Sequence, residues 1–158
     1  MKELLEYRER LLARLEEAAV EFRAACLAAG DARAPVRPGE WSVHQVAAHT
    51  RDVDRLVYGE RVRRTLAEEN PRFSNFDGEA YMVAHYDAGE PLPHILDGLV
   101  SSIRSLAALL RGMPDEGWAR LSSHETQGEG LTLQTWVERG LQHIEEHLAT
   151  VRQAGGST

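Results

Sequence analysis

The sequence predicts an all-α fold, a four-helix bundle with a long mid-chain connection. Three observations predict it. Four segments of 20 or more residues carry apolar side chains at three- and four-residue steps. No segment of useful length alternates with the period of a strand. The four segments are separated by stretches bearing proline and glycine. Long helices that each own one apolar stripe bury it against one another, which is the bundle solution. A chain of 158 residues is enough for one such domain, expected over residues 1–153, with 154–158 (AGGST) as a disordered tail.

The first helix is expected over 2–29, where Leu4, Leu5, Leu11, Leu12, Leu15, Ala19, Phe22 and Cys26 form the stripe and Gly30 follows. Cys26 lies on that stripe and reads as a buried small hydrophobe rather than a nucleophile. DARAPVRPGEW is a loop. The second helix starts at Ser42, with Gln45 at capping-box spacing and Trp41 before the cap, and runs to about Leu66. Its inward set is Val43, Val46, Ala47, Thr50, Val53 and Val57, and Asn70-Pro71 lies beyond its end. A short helix is expected around 77–87. The third long helix, 92–111, has the seam Leu92, Leu96, Leu99, Ile103, Leu106 and Leu110, closed by Gly112 and Pro114. A loop over 113–131 carries Trp118 and QGEG, long enough to suspect a functional role. The last helix, 132–153, turns Leu133, Val137, Leu141, Ile144, Leu148 and Val151 inward.

Composition excludes several function classes. Twenty-five acids against 18 bases leave a formal charge of −7, the wrong sign for a nucleic-acid or anionic-membrane surface. No apolar run approaches the roughly 20 residues of a membrane span, and the charged N-terminus lacks the apolar stretch of a secretory signal. With Cys26 the only cysteine, no intrachain disulfide exists. A cytoplasmic location is the expectation. Lys2 is the only lysine, so arginine carries nearly all positive charge and most of it reads as solvated helix face.

Histidine carries the chemistry. In LQHIEEHLATVRQ, His143 and His147 stand four apart and share one side of the last helix, at the edge of its apolar stripe beside Trp136, with Gly140 opening room. A helix presents two imidazoles to one divalent ion in this way. Taken alone the spacing is equally consistent with two surface histidines. On the second helix, His44 shares a face with Ala48, Arg51 and Arg55 and reads as solvated, whereas His49 lies between the apolar stripe and the polar flank. His49 can complete a set of three, leaving one position open for water or substrate. Asp52, one turn after His49, can orient that imidazole or act as a base. Asp54, Arg55 and Arg51 read as surface. Tyr58 and Tyr81 are candidate pocket residues, and His124 a candidate mobile pocket residue in the 113–131 loop.

The string EWSVHQVAAHTRDVD, the closing HIEEHLATVR and Trp118 after the third helix together resemble the DinB/YfiT-like superfamily of metal-binding four-helix bundles. The resemblance spans nearly the whole chain and rests on the order and spacing of these segments. Carried over by position, His49, His143 and His147 resemble the family's metal triad. The resemblance implies a divalent metal, often zinc or nickel, and frequently a homodimer. It further implies a low-molecular-weight thiol as cosubstrate with a small-molecule substrate, as in thiol-dependent S-transferases and the mycothiol-dependent maleylpyruvate isomerase. A metal-dependent hydrolase is the alternative within the family, and a non-catalytic metal- or small-molecule-binding stress bundle the rival outside enzymology. HIEEH also matches H-x-x-E-H, but only eleven residues follow His147, too few for a further acidic ligand well downstream. Glu145 and Glu146 therefore read as solvated face.

Overall fold

In the computed structural model, which describes residues 1–156, the first amphipathic segment forms α1, Lys2–Leu27. It buries Leu11, Leu12, Leu15, Ala19, Phe22 and Cys26. Leu4 and Leu5 are exposed, because α1 begins to bury side chains only at Leu11. Burial pushes the Cys26 thiol up to about 12, so it is inert at neutral pH.

The second helix opens on the predicted capping box: the Gln45 amide donates to Ser42 Oγ at 3.1 Å, and the Ser42 amide donates to Gln45 Oε1 at 2.9 Å. It is continuous but not uniform. α2, Val43–Val53, passes through a π-helical turn, Asp54–Tyr58, into α3, Gly59–Ala67. In that turn the Gly59 amide reaches back to the Asp54 carbonyl, one residue further than in an α-helix. Glycine is required there, since a Cβ on residue 59 would lie 2.8 Å from the Asp54 oxygen. The chain then runs through β1 (Arg72–Phe73), α4 (Gly78–His85), α5 (Leu92–Gly112) and a 3-10 turn (Asp115–Ala119). β2 (Leu121–His124) and β3 (Gly128–Thr132) precede α6, Leu133–Gly156.

α1 packs on α5 and α6, and the α2–α3 helix packs on the same two. The first two long helices are therefore diagonal partners, and the 28–42 link crosses the end of the bundle. The departure from simple up-down order lies in this link, while the long 67–91 connection joins neighbours. No helix among the described residues is long and apolar enough to cross a membrane.

Several expectations change. The 113–131 region is not one irregular loop. β2 pairs antiparallel with β3 and parallel with β1, giving a three-stranded sheet in the order β1-β2-β3. Its pattern is illegible to a hydrophobicity reading because the inward positions of β2 are Ser122 and His124, while Leu121 faces solvent. At the tail expected to be disordered over 154–158, α6 continues to Gly156, and residues 157–158 lie outside the described residues. The His44 face is not solvated. His44 is buried, with Nδ1 2.5 Å from Tyr86 Oη and Nε2 2.7 Å from the Glu90 carbonyl. The segment after α4 covers this face, and there Arg51 bridges Asp52 and Glu90.

Asp54, read as surface, is buried within the π-helical turn, and burial pushes its carboxyl up to about 7 against the opposing pull of Arg63 and Arg55. A raised folded-state value favours folding below the unfolded carboxyl pKa and loses that contribution as pH rises through the folded one. Asp54→Asn is therefore expected to be more stable than wild type at pH 8, by on the order of a few kcal/mol. The difference should vanish as pH falls to about 4. Urea denaturation at both pH values measures it, and equal stabilities at pH 8 would show that the buried carboxylate is compensated.

Candidate metal centre

His143 and His147 stand one turn apart on α6, and His49 faces them from α2. Their Nε2 atoms converge: His147 to His143 is 3.1 Å and His143 to His49 is 3.4 Å. One ligand atom from each of the three lies within 4.8 Å of the other two. His44, only five residues from His49, is elsewhere and fully engaged, as described above. The structure thus brings His49 and not His44 together with the α6 pair, and His44 is buried rather than solvated.

Electrostatics keeps the three rings neutral. Burial, reinforced by the neighbouring imidazoles, takes His143 down to about 3 and His147 down to about 4. His49 is also lowered by burial, against an opposing effect of Asp52. Neutral imidazoles present lone pairs. Nitrogens bound to one tetrahedral ion through bonds of about 2.1 Å lie about 3.4 Å apart, so the donor set and its spacing suit a divalent cation. The far nitrogens are bare: none of the three Nδ1 atoms has a hydrogen-bond partner among the described residues, and that of His143 is fully buried.

With no hydrogen bond to aim them, the rings are aimed by packing. Trp41 lies 4.9 Å from the His49 ring, centroid to centroid, and from the other side a Cβ on Gly78 would come 2.9 Å from His49 Cε1. The Tyr58 ring lies 5.6 Å from that of His143. Gly140 was expected to open space; in fact a Cβ there would stand 3.2 Å from that of Tyr58, so the missing side chain admits the tyrosine. Asp52 makes no hydrogen bond to His49; its carboxylate accepts from Arg51 Nε at 3.0 Å.

A cavity of about 280 Å³ opens beside the cluster, lined by His49, His143, Tyr58, Arg61, His124 and Gln127 among others. His124 does line it, but from a strand rather than a mobile loop. It is buried on β2, and its Nδ1 accepts from the Thr126 and Gln127 amides at 3.2 and 3.3 Å. Tyr81 instead stacks on His85, at 4.1 Å. Glu146 is exposed, at the rim of an adjoining cavity. Arg61 was missed: in an arginine-rich chain it read as surface. Its signal was there, because Val57, Arg61 and Thr65 step by four and all three are buried.

Comparison with known proteins agrees with this geometry. The fold is similar to that of YfiT from Bacillus subtilis, described as a probable metal-dependent hydrolase with an unusual four-helix bundle topology. The two share 25% identity at a TM-score of 0.83, over 94% of this chain and 86% of that one. No curated protein matches the sequence significantly. The family model of the DinB superfamily matches residues 3–151, nearly the whole domain with both histidine-bearing helices, and the chain belongs to that superfamily.

Proposed function

We propose that this protein is a metal-dependent enzyme in which His49, His143 and His147 hold one divalent cation, zinc or nickel, to activate a small thiol or a water. The observation that carries the reading is the convergence of three neutral Nε2 atoms beside a cavity large enough for a small molecule. Three uncharged ligands leave such an ion its full double charge, which lowers the pKa of the thiol or water it binds. Imidazole donors suit zinc and nickel alike.

The chain's own groups favour the thiol. Among the described residues no carboxylate joins the histidine cluster, and Asp52, the nearest candidate base in the sequence, is held by Arg51. A coordinated thiol loses its proton without a protein base, whereas hydrolysis gains from one. Tyr58 keeps its phenolic proton at neutral pH, as tyrosines do, and burial raises its pKa further, so it is a donor on the cavity wall. Transfer or isomerisation with a thiol cosubstrate is thus the first reading. The likeness to YfiT supports hydrolysis as the second. Metal-loaded protein tested with a small thiol and an aryl chloride, and separately with a nitrophenyl ester, discriminates them. Metal-dependent thiol consumption is expected, ester hydrolysis alone would transfer the assignment to water, and neither with metal retained would leave a binding protein.

Elemental analysis of protein purified without chelators should find about one divalent ion per chain. Alanine at His49, His143 or His147 should abolish it, and His44→Ala should keep it. A His49→Ala protein with its full metal complement would end the triad assignment. Since burial lowers all three imidazoles, proton competition sets in below the free value of about 6.5. Affinity measured by competition with a chelator is expected to be level from pH 8 to about 6.5 and to fall toward pH 4. Affinity that stays flat throughout would mean that histidines are not the ligands.

Because Gly78 presses on the His49 ring, Gly78→Ala should weaken metal affinity about tenfold while leaving the helical circular dichroism unchanged, the scale seen when groups that aim a ligand are disturbed. Wild-type affinity in that variant would show that the ring is aimed by something else.

A further inference from the structure

The wall of the cavity away from the triad holds positive charge that the protein does not neutralise. Arg61, on α3, is only 7% exposed. It is the sole buried arginine among the described residues. Its Nη2 donates to the Ser74 carbonyl at 3.0 Å and lies 3.3 Å from His124 Nε2. Two backbone amides point at His124 Nδ1, which places the ring proton on Nε2, so this neighbour offers Arg61 no acceptor. Nε and Nη1 of Arg61 have no hydrogen-bond partner, and no carboxylate lies within ion-pair reach among the described residues. The guanidinium rests 4.6 Å from the Trp136 ring centre.

A second guanidinium shares that ring. Arg139, on α6 one turn before His143, lies 5.3 Å from the Trp136 centre and donates to Gln127, again with no ion pair. Burial lowers the pKa of Arg61, and the charge of Arg139 lowers it further. Stacking on an indole offsets part of that cost but supplies no counter-charge. A chain with 25 acidic residues has no shortage of carboxylates, yet the one on this wall, Glu146, is exposed at the rim and accepts from Gln142. Arg61, Tyr58, Gln127 and His143 line both the 280 Å³ cavity and an adjoining one of about 320 Å³ that reaches Arg139, so the cationic wall and the triad face connected space.

We propose that Arg61 and Arg139 bind an oxyanion, a carboxylate or phosphate group, on the small-molecule substrate, and thereby set which end of it faces the triad. This rests on the reading of His49, His143 and His147 as the reactive centre. Guanidinium forks match planar and tetrahedral oxyanions by paired N–H donation. The unpaired N–H groups of Arg61, on a largely buried side chain that lines the cavity, supply such donors, and partial shielding from water makes a charge-assisted hydrogen bond stronger there than on the open surface.

The test is isothermal titration of wild-type protein, metal-free and zinc-loaded, with succinate, its uncharged analogue succinamide, and inorganic phosphate. Succinate or phosphate should bind saturably to both forms and raise the melting temperature, whichever binds more tightly naming the oxyanion, and succinamide should do neither. Arg139→Gln, at a half-exposed site, should weaken that binding about tenfold with zinc affinity unchanged, as should Arg61→Lys, which keeps the charge and loses the fork. His143→Ala should lose zinc and keep the oxyanion. If zinc binds and neither anion does, or if both arginine variants bind anions as wild type does, the oxyanion wall is wrong and the metal reading stands. If anions bind through the arginines and zinc does not bind, the metal reading is the one that fails. Should Arg61→Lys not fold, Arg139→Gln decides the matter alone.

Discussion

Three neutral imidazoles that converge, with His143 Nε2 3.1 Å from that of His147 and 3.4 Å from that of His49, are the constraint around which the bundle is organised. Nitrogen lone pairs so placed gain little from each other, and burying them without another partner costs free energy. The fold nevertheless holds them there, from two helices 94 residues apart along the chain. It does so through topology. Placing α1 diagonally from the second helix frees α2 to pack directly on α6, and only that adjacency lets His49 meet the α6 pair. Trp41, Gly78 and Tyr58 then fix the ring planes by contact where hydrogen bonds do not.

The contrast between His44 and His49 shows how the protein separates a structural histidine from a reactive one. Both sit on α2, and both are shielded from water to a large degree. His44 has an oxygen at each nitrogen, the Tyr86 hydroxyl and the Glu90 carbonyl, so its ring is satisfied by the protein. It pins the 86–90 segment onto the helix, with Arg51 bridging Asp52 and Glu90 alongside. His49 has no oxygen at either nitrogen among the described residues and meets the other imidazoles, the Trp41 ring and Gly78. What distinguishes them is the completeness of hydrogen bonding rather than depth of burial. The same criterion sets Arg61 apart from the chain's many ion-paired surface arginines.

The connections complete the cavity that the helices begin. Residues 75, 76 and 78, ahead of and at the start of α4, form one side, while His124 and Gln127 of the β2–β3 hairpin form another. The hairpin is tied to α6 by the Trp136 indole N–H, which donates to Ser122 Oγ at 2.8 Å, and Phe73 of β1 meets the same ring edge-on at 5.8 Å. Trp136 therefore joins sheet, helix and both cavity arginines in one contact set. The π-helical turn contributes by inserting an extra residue into the second helix just before α3, which carries Arg61 inward beside Val62 and Thr65.

The sequence by itself determined the four long helices, nearly all their inward residues and the three histidines. Each follows from local periodicity: a 3.6-residue repeat specifies a face, and i, i+4 spacing places two imidazoles on it. The Ser42–Gln45 capping box was legible for the same reason, since both partners lie within one turn. Only the tertiary structure decided what covers each face. Phase assigned His44, Arg51 and Asp54 to solvent, but the 86–90 segment encloses the first two and the π-helical turn buries the third. Gly140 signalled a special position without saying that Tyr58 occupies the space. The sheet stayed invisible because Ser122 and His124 face inward and answer to Trp136 and Arg61, partners distant in sequence that no local pattern encodes. A helical repeat states which side chains share a direction, whereas burial and pairing depend on what the rest of the chain brings to meet them.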